Sequence, residues 1–356
     1  MGSLLDRYLL RAILATTGLV LFVLLALGGF IDFIAQLDGV GTGTFGVREA
    51  IFFVLLRLPQ SAFEMLPIAA LLGALMGLGA LAGHSELVVM RAAGVSIARL
   101  AVSTVLAGIV LLILMAALGE LVGPPLERFA EQYRTLHKKG SFGGDGVQSA
   151  WVKDGPLIVN VQAPQEGAIR GAIHVFELGG DQTLASVGRA DAAHLDSGQR
   201  WLLENFRESL LTRRPIEARS ESRSSRAGGI NPELLQLSVV DPDELAARGL
   251  YNYIGYLRNN DLDARRYEVA LWSRIATLTS VVIMAVLALP FVFGPLRSAG
   301  AGARLMVGVL IGAGYFLISK TLVNSSEVFE LNPLLIAWLP TLALAVITLV
   351  ALSRVR

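Results

Sequence analysis

The sequence predicts an α-helical membrane protein with six transmembrane helices in two groups of three, and a β domain inserted between the third and the fourth. Three observations predict it. Apolar residues make up 54% of the 356 and charged residues only 17%, against about 25% charged in ordinary soluble domains; the mean hydropathy is +0.60. Most of the charge lies in residues 127–268. Outside that stretch lie six runs long enough to cross a ~30 Å hydrocarbon layer, which takes about 20 helical residues.

Three runs precede the charged middle: Ala12 to Ala35, Ala50 to Ala82 and Leu100 to Gly123. The first is too long for a signal peptide and has no small-residue cleavage site after it, so a retained span is expected. The second exceeds one upright helix and contains Pro59 and Pro67, each of which removes a backbone donor. A short surface segment leading into a bent span is expected there. Three runs follow the middle: Val269 to Phe293, Leu305 to Val323 and Leu334 to Leu352. Domain bounds follow: 1–124 for the first three helices with a loop element at about 84–96, 125–262 for the β domain with its connectors, and 263–356 for the last three helices.

Arginines set the orientation. Arg7, Arg11, Arg91, Arg99, Arg297, Arg304, Arg354 and Arg356 fall on one side, whereas the opposite short loops offer only Arg48 among several acids. By the positive-inside rule the arginine side, with both termini, is cytoplasmic and the insert lies on the other side.

Inside the insert, Trp151 to Gln162 reads as strand broken at Asp154-Gly155, and Ile169 to Leu178 alternates before Gly179-Gly180-Asp181. Further strands are expected at Thr183 to Leu195, Trp201 to Leu211 and Leu234 to Val240, with Ser220 to Gly229 as a loose polar loop. Short strands at this spacing point to a sandwich or barrel. Asp241-Pro242-Asp243-Glu244 then resembles a capped helix start, and Leu250, Tyr253, Ile254 and Leu257 form an apolar stripe expected to lie at a membrane surface.

Several chemistries are excluded or unsupported. There is no cysteine, hence no disulfide or thiolate site, and the net charge of +1 gives no bulk attraction to nucleic acid. No G-x-x-x-x-G-K-[ST], H-E-x-x-H or G-x-S-x-G occurs, so no cofactor, metal or catalytic residue is expected in this chain. The loop H-S-E-L-V-V-M-R-A-A-G-V-S, His84 to Ser96, is the informative one. Ser85 can cap a short helix, Leu87, Val88 and Met90 give it an apolar surface, and Glu86 and Arg91 give it charge. Such a helix either docks another protein or lies on lipid headgroups.

The stretch L-L-G-A-L-M-G-L-G-A-L-A-G-H-S-E-L-V-V-M-R-A-A-G, Leu71 to Gly94, closely resembles the LptF/LptG family of lipopolysaccharide export permeases. So do L-D-R-Y at Leu5 to Tyr8, G-E-L-V-G-P at Gly119 to Pro124, W-V-K-D-G at Trp151 to Gly155 and F-G-P-L-R-S at Phe293 to Ser298; the first and last of these four point to the branch that pairs with LptF. The resemblance implies an ABC transporter permease in the inner membrane of Gram-negative bacteria. Its β insert is a periplasmic jellyroll, and it assembles with LptF, two copies of the ATPase LptB, LptC and the bridge protein LptA. ATP and magnesium then belong to LptB, and lipopolysaccharide is the substrate. Glu86 falls on the family's acidic coupling position, so Ser85, Glu86, Leu87, Met90 and Arg91 are the expected ATPase-coupling residues. Arg134 matches a basic family position that contacts substrate, whereas Glu131, Asp32 and Asp38 stand where relatives carry basic residues.

Arg128, Arg134, His137, Lys138 and Lys139 follow the third span and are candidate contacts for a phosphate-bearing headgroup. Arg57 and Lys320 are added from within the spans, where Glu64 and Arg274 also lie and where a charge is costly enough to need a partner or a purpose. Gly73 with Gly77, Gly79 with Gly83, and Gly308 with Gly312 mark close helix approaches, the last pair on a face expected to meet a partner subunit. A proton-coupled lipid transporter with Glu64 or Glu120 as relay is the alternative mechanism, and a periplasmic scaffold anchored by its helices a third.

Overall fold

The computed structural model describes residues 4–138, 149–162, 169–180, 183–195, 200–212, 216–227, 242, 245–294, 300–329 and 332–354. The chain divides into two compact units. The first comprises residues 1–142, 243–251 and 265–356; the second comprises 143–242 and 252–264.

The first unit is helical. It holds α1 (Leu4–Leu37), α2 (Val47–Gly83), the short α3 (Glu86–Ala92), α4 (Ile97–Ala117), a π-helical turn (Leu118–Val122), and α5 (Gly123–Lys138). After the insert come the first residues of α6 (Ala247–Asn259), then α7 (Arg265–Phe293), α8 (Ala301–Phe329) and α9 (Pro333–Ser353). Among the described residues six stretches are long and apolar enough to cross a bilayer: Leu4–Leu37, Val47–Gly83, Ile97–Lys138, Arg265–Phe293, Gly302–Ser326 and Pro333–Ser353. This is a multi-pass membrane protein.

Two spans depart from the expected outline. α2 is one helix of 37 residues with Pro59 and Pro67 inside it, not a surface segment followed by a span. It is flanked by α1, α5, α7 and α8, and neighbours on several sides stabilise a helix against the loss of a proline's hydrogen bond. The third span also runs on. α4, the π turn and α5 form a continuous 42-residue stretch to Lys138, so residues 125–138 join the helical unit.

Helix ends are set by local chemistry. Ser96 caps α4 by accepting from the Arg99 amide at 3.2 Å, and Asn332 caps α9 by accepting from Leu334 at 3.0 Å, with Pro333 in the first turn. Ser85 does not act as the cap expected of it. It sits at φ 62° and its side chain caps nothing, because a left-handed residue is what turns the chain sharply from α2 into α3.

α1 and α2 approach closely at Gly73 and Gly77. A Cβ at Gly73 would strike the Thr17 backbone, and one at Gly77 would reach the Ala12 carbonyl; Thr16 Oγ1 donates to the Gly73 carbonyl at 2.7 Å. Gly308 and Gly312 face Leu72, Leu75 and Ile68 of α2, so this pair packs within the chain and not on a partner. The apolar core is layered along the bundle. Leu9, Ile13, Leu87, Leu100, Leu289 and Leu344 lie in one cluster, Phe63, Leu66, Leu111, Met115 and Val281 in a second, and Phe53, Val54 and Ala130 in a third.

The second unit is an antiparallel sheet whose six described strands follow in order: β1 (Ser149–Asp154), β2 (Leu157–Gln162), β3 (Ile169–Leu178), β4 (Leu184–Leu195), β5 (Arg200–Leu210) and β6 (Glu217–Ala227). Period-2 alternation puts Leu157 and Val159, Ile173 and Val175, and Gly188 and Ala190 on the buried face. Gly155 at φ 55° makes the β1–β2 turn expected at Asp154-Gly155.

β6 corrects the loose loop expected at Ser220 to Gly229. Its serines and arginines pair with β5 from Arg200↔Ala227 to Leu210↔Glu217, with Arg219 and Glu221 in an ion pair at 2.7 Å. Among the described strands β6 stands last in the order, and a strand with a solvated face tolerates a composition that reads as loop. The strand expected at Leu234 to Val240 and the acidic cap at Asp241 lie outside the described residues.

The connecting helix differs as well. It begins at Ala247, and Leu250, Tyr253, Ile254 and Leu257 are all 7% exposed or less, so the stripe expected at a membrane surface is covered by protein. Within the second unit, Tyr256 Oη accepts from the Lys153 amide at 3.0 Å and donates to its carbonyl at 2.7 Å, and Asn260 Oδ1 accepts from the Gly155 amide at 2.8 Å.

Candidate functional sites of the helical unit

The short helix α3 follows the sharp turn at Ser85 and ends in a loop with Gly94 at φ 93°. A helix of seven residues, about two turns, has one narrow face to bury, and Leu87 takes it: 1% exposed, it lies in the cluster with Leu9, Ile13 and Leu100. Met90 packs against the same cluster. The outward apolar surface is therefore Val88 and Val89, at 44% and 65% exposed, rather than the Leu87, Val88 and Met90 surface expected from the sequence. Arg91 is exposed, with its guanidinium 5.9 Å from the Phe293 ring centre. Glu86 is half-buried, and its Oε2 accepts from the Tyr8 hydroxyl at 2.6 Å.

Two further contacts tie this end together. Asp6, buried, accepts from Arg99 Nη2 at 2.6 Å and from Ser103 Oγ at 2.6 Å. Arg304, at the start of α8, donates to the Gly79 carbonyl at 2.9 Å. Sequence reasoning gives none of Tyr8, Asp6 and Arg99 a role at this site. The available signal is a charged and phenolic pair, Asp6 and Tyr8, just before an uninterrupted apolar span.

At the opposite end of the bundle α2 and α5 bring cations together around aromatic rings. The fully buried Phe53 has the Arg57 guanidinium 5.6 Å and the Arg134 guanidinium 5.2 Å from its ring centre. Each arginine also holds a carboxylate: Arg57 with Glu127 at 3.0 Å, and Arg134 with Glu131 at 2.8 Å. Lys138 stands 5.0 Å from the centre of the buried Phe45 ring, and Thr44 donates its amide to the His137 carbonyl at 2.9 Å, which pins the loop after α1 to the end of α5. Arg128 is half-buried with its Nε unsatisfied. Lys139 lies outside the described residues.

The structure thus joins Arg57 and Arg134, which lie far apart in sequence, and the link that sequence reasoning misses is Phe53 with Glu127. Lys320 lies apart from this group, on α8, with its ammonium 3.7 Å from Glu64 of α2 and both partly exposed. Glu120 is also engaged: Oε1 is 2.9 Å from Arg274 Nε, and Oε2 accepts from the Ala247 amide at 2.8 Å. Both relay candidates are therefore held against cations.

A family model described as lipopolysaccharide export system permease LptF/LptG matches residues 7–354. The chain is 35% identical over 354 residues to the lipopolysaccharide export system permease protein LptG of Escherichia coli K12, covering 99% of this chain and 98% of that one. It is 30% identical over 357 residues to LptG of Haemophilus influenzae, covering 100% of both. It is 25% identical over 354 residues to LptF of Escherichia coli K12, covering 96% of this chain and 93% of that protein.

Proposed function

Because the chain belongs to the LptF/LptG family of lipopolysaccharide export permeases, we propose that it is the non-catalytic membrane subunit of an ABC-type exporter, driven by ATP hydrolysis on a partner LptB dimer. In this reading it pairs with LptF in the inner membrane of a Gram-negative bacterium, with the α3 end cytoplasmic and the sheet in the periplasm. LptC and LptA carry the substrate onward from the sheet, which serves as the jellyroll of the bridge. ATP and magnesium are bound by LptB.

The observation that carries the coupling role is α3 itself. It anchors Leu87 in the bundle while leaving Val88 and Val89 outward beside a half-exposed carboxylate, an arrangement suited to a partner's apolar groove with a cation at its edge. A helix whose buried residue is locked to α1 and α4 passes a push from below into the spans. Moving lipid chains from bilayer to water costs about 0.8 kcal/mol per methylene, so such a drive is what extraction requires.

At the other end Arg57 and Arg134 are the candidate contacts for substrate phosphates, with Arg128, Lys138 and Lys139 beside them in sequence. Glu127 and Glu131 pair with the two guanidinium groups, so a phosphate binds there by displacing carboxylates. Lys320 with Glu64 is a second such pair. The test is reconstitution: the purified complex in proteoliposomes should release lipopolysaccharide only with ATP and the ATPase, and release persisting without the ATPase would sink the reading in favour of a proton-coupled carrier.

A further inference from the structure

Tyr8 and Asp6 sit two residues apart on α1, about 200° apart around the helix, and so face different neighbours. Tyr8 reaches forward to the first residue of α3, donating to Glu86 Oε2 at 2.6 Å. Asp6 reaches to the first turns of α4, where it accepts from Arg99 and Ser103. The 84–96 loop is therefore gripped at both of its ends by one turn of α1. Between the two grips lies apolar packing, with Leu9 and Ile13 of α1, Leu87 of α3 and Leu100 of α4 in one buried cluster.

The two grips differ in character. The Asp6 carboxylate is 8% exposed and holds two donors, so breaking that contact would strand a buried charge. The Tyr8–Glu86 bond is solvent-accessible, and its phenol can exchange with water. It is also short and charge-assisted, which makes it directional. Because it engages Oε2, the other carboxylate oxygen remains for a second donor.

We infer that Tyr8 is a positioning residue for Glu86, and that through Tyr8 and Asp6 the first turns of α1 move with the coupling loop as one block. This rests on the docking role of α3 proposed above. The phenol orients the carboxylate for the partner's cation, and the Asp6 grip carries displacement of the loop into the first span.

The test uses the whole exporter with its ATPase in proteoliposomes, reading lipopolysaccharide released per ATP hydrolysed. Tyr8→Phe keeps the ring and removes the donor; the release ratio should fall by at least about threefold, the low end of what one hydrogen bond contributes, as fits a solvent-exposed contact. In a Glu86→Gln background, where the phenol meets a neutral amide, the same change should have a smaller effect than it has alone. An unchanged ratio in Tyr8→Phe, or an effect equally large in both backgrounds, would overturn the inference. If Tyr8→Phe fails to assemble, Tyr8→His, which restores a donor, should recover assembly, and failure to do so would also overturn it. A defective Glu86→Gln beside a silent Tyr8→Phe removes this inference alone, whereas silence in both removes the docking role of α3 as well.

Discussion

The buried Arg274 of α7 and the partly exposed Glu120 of the π turn form a knot that joins the chain's way out to the insert with its way back. The guanidinium is 6% exposed; its Nε lies 2.9 Å from Glu120 Oε1, Nη1 donates to the Leu245 carbonyl at 2.6 Å, and Nη2 donates to the Gly119 carbonyl. A π turn widens the helix and disturbs its carbonyl ladder, and Gly119 lies within that turn. Glu120 completes the knot by accepting from the Ala247 amide, so the first turn of α6 is capped by a carboxylate from the third span.

The knot predicts a steep cost for Arg274→Met. The change leaves two carbonyls without a donor and Glu120 with the Ala247 amide alone, and breaking a buried pair costs about 3–5 kcal/mol, an upper figure here because Glu120 is 28% exposed. Thermal unfolding in detergent should show it. Adding Glu120→Leu should recover part of the loss, and a double variant as unstable as the sum of both singles would argue against the pairing.

The docking role proposed for α3 and its core role separate by residue. Val89→Asp should abolish co-purification of the ATPase while leaving the melting temperature of the permease unchanged, because Val89 is 65% exposed. Leu87→Ala should do the reverse, destabilising the fold by about 2–5 kcal/mol as a fully buried leucine does. Loss of stability in both variants would place Val89 in the protein's own packing.

Much of this was legible in the sequence and some was not, for physical reasons. The six spans and the strands from Trp151 to Leu211 announce themselves through runs and alternation, since burial in lipid or sheet fixes the period of apolar residues. β6 hides because its serines and arginines carry no apolar alternation, and the destination of the Leu250 stripe hides because amphipathicity says that a face is covered without saying by what. Candidate cations such as Arg57 and Arg134 can be read one by one. The Arg134–Glu131 pair has the i,i+3 spacing of helix neighbours, but the sharing of Phe53 and the pairing of Arg57 with Glu127 follow only from helix packing between residues up to 81 positions apart.

If Arg57 and Arg134 contact substrate as proposed, Glu127 and Glu131 compete with it for the two guanidinium groups. Glu127→Gln removes the charge held by Arg57 and should raise photocrosslinking of labelled lipopolysaccharide at this site, whereas Arg134→Gln should lower it by about tenfold or more, as loss of one charge-assisted contact does. If both substitutions lower crosslinking equally, the ion pairs serve structure and the arginines are not held in reserve for phosphate.

Two glycines of α2 should respond in opposite ways to added methyl groups. At Gly73 a Cβ meets the Thr17 backbone, which cannot rotate aside, so Gly73→Ala must push α1 away and also strain the bond from Thr16 to the Gly73 carbonyl. Overpacking of this kind costs about 1–3 kcal/mol. At Gly83 nothing lies within 4 Å of the place a Cβ would take, and the residue is the last of the helix, so Gly83→Ala should be neutral or stabilising by up to ~1 kcal/mol from helix propensity alone. Melting curves of the two variants side by side would measure the contrast, and because α1 must shift only in the first, that variant alone should also weaken the Tyr8–Glu86 contact and lower the lipopolysaccharide released per ATP.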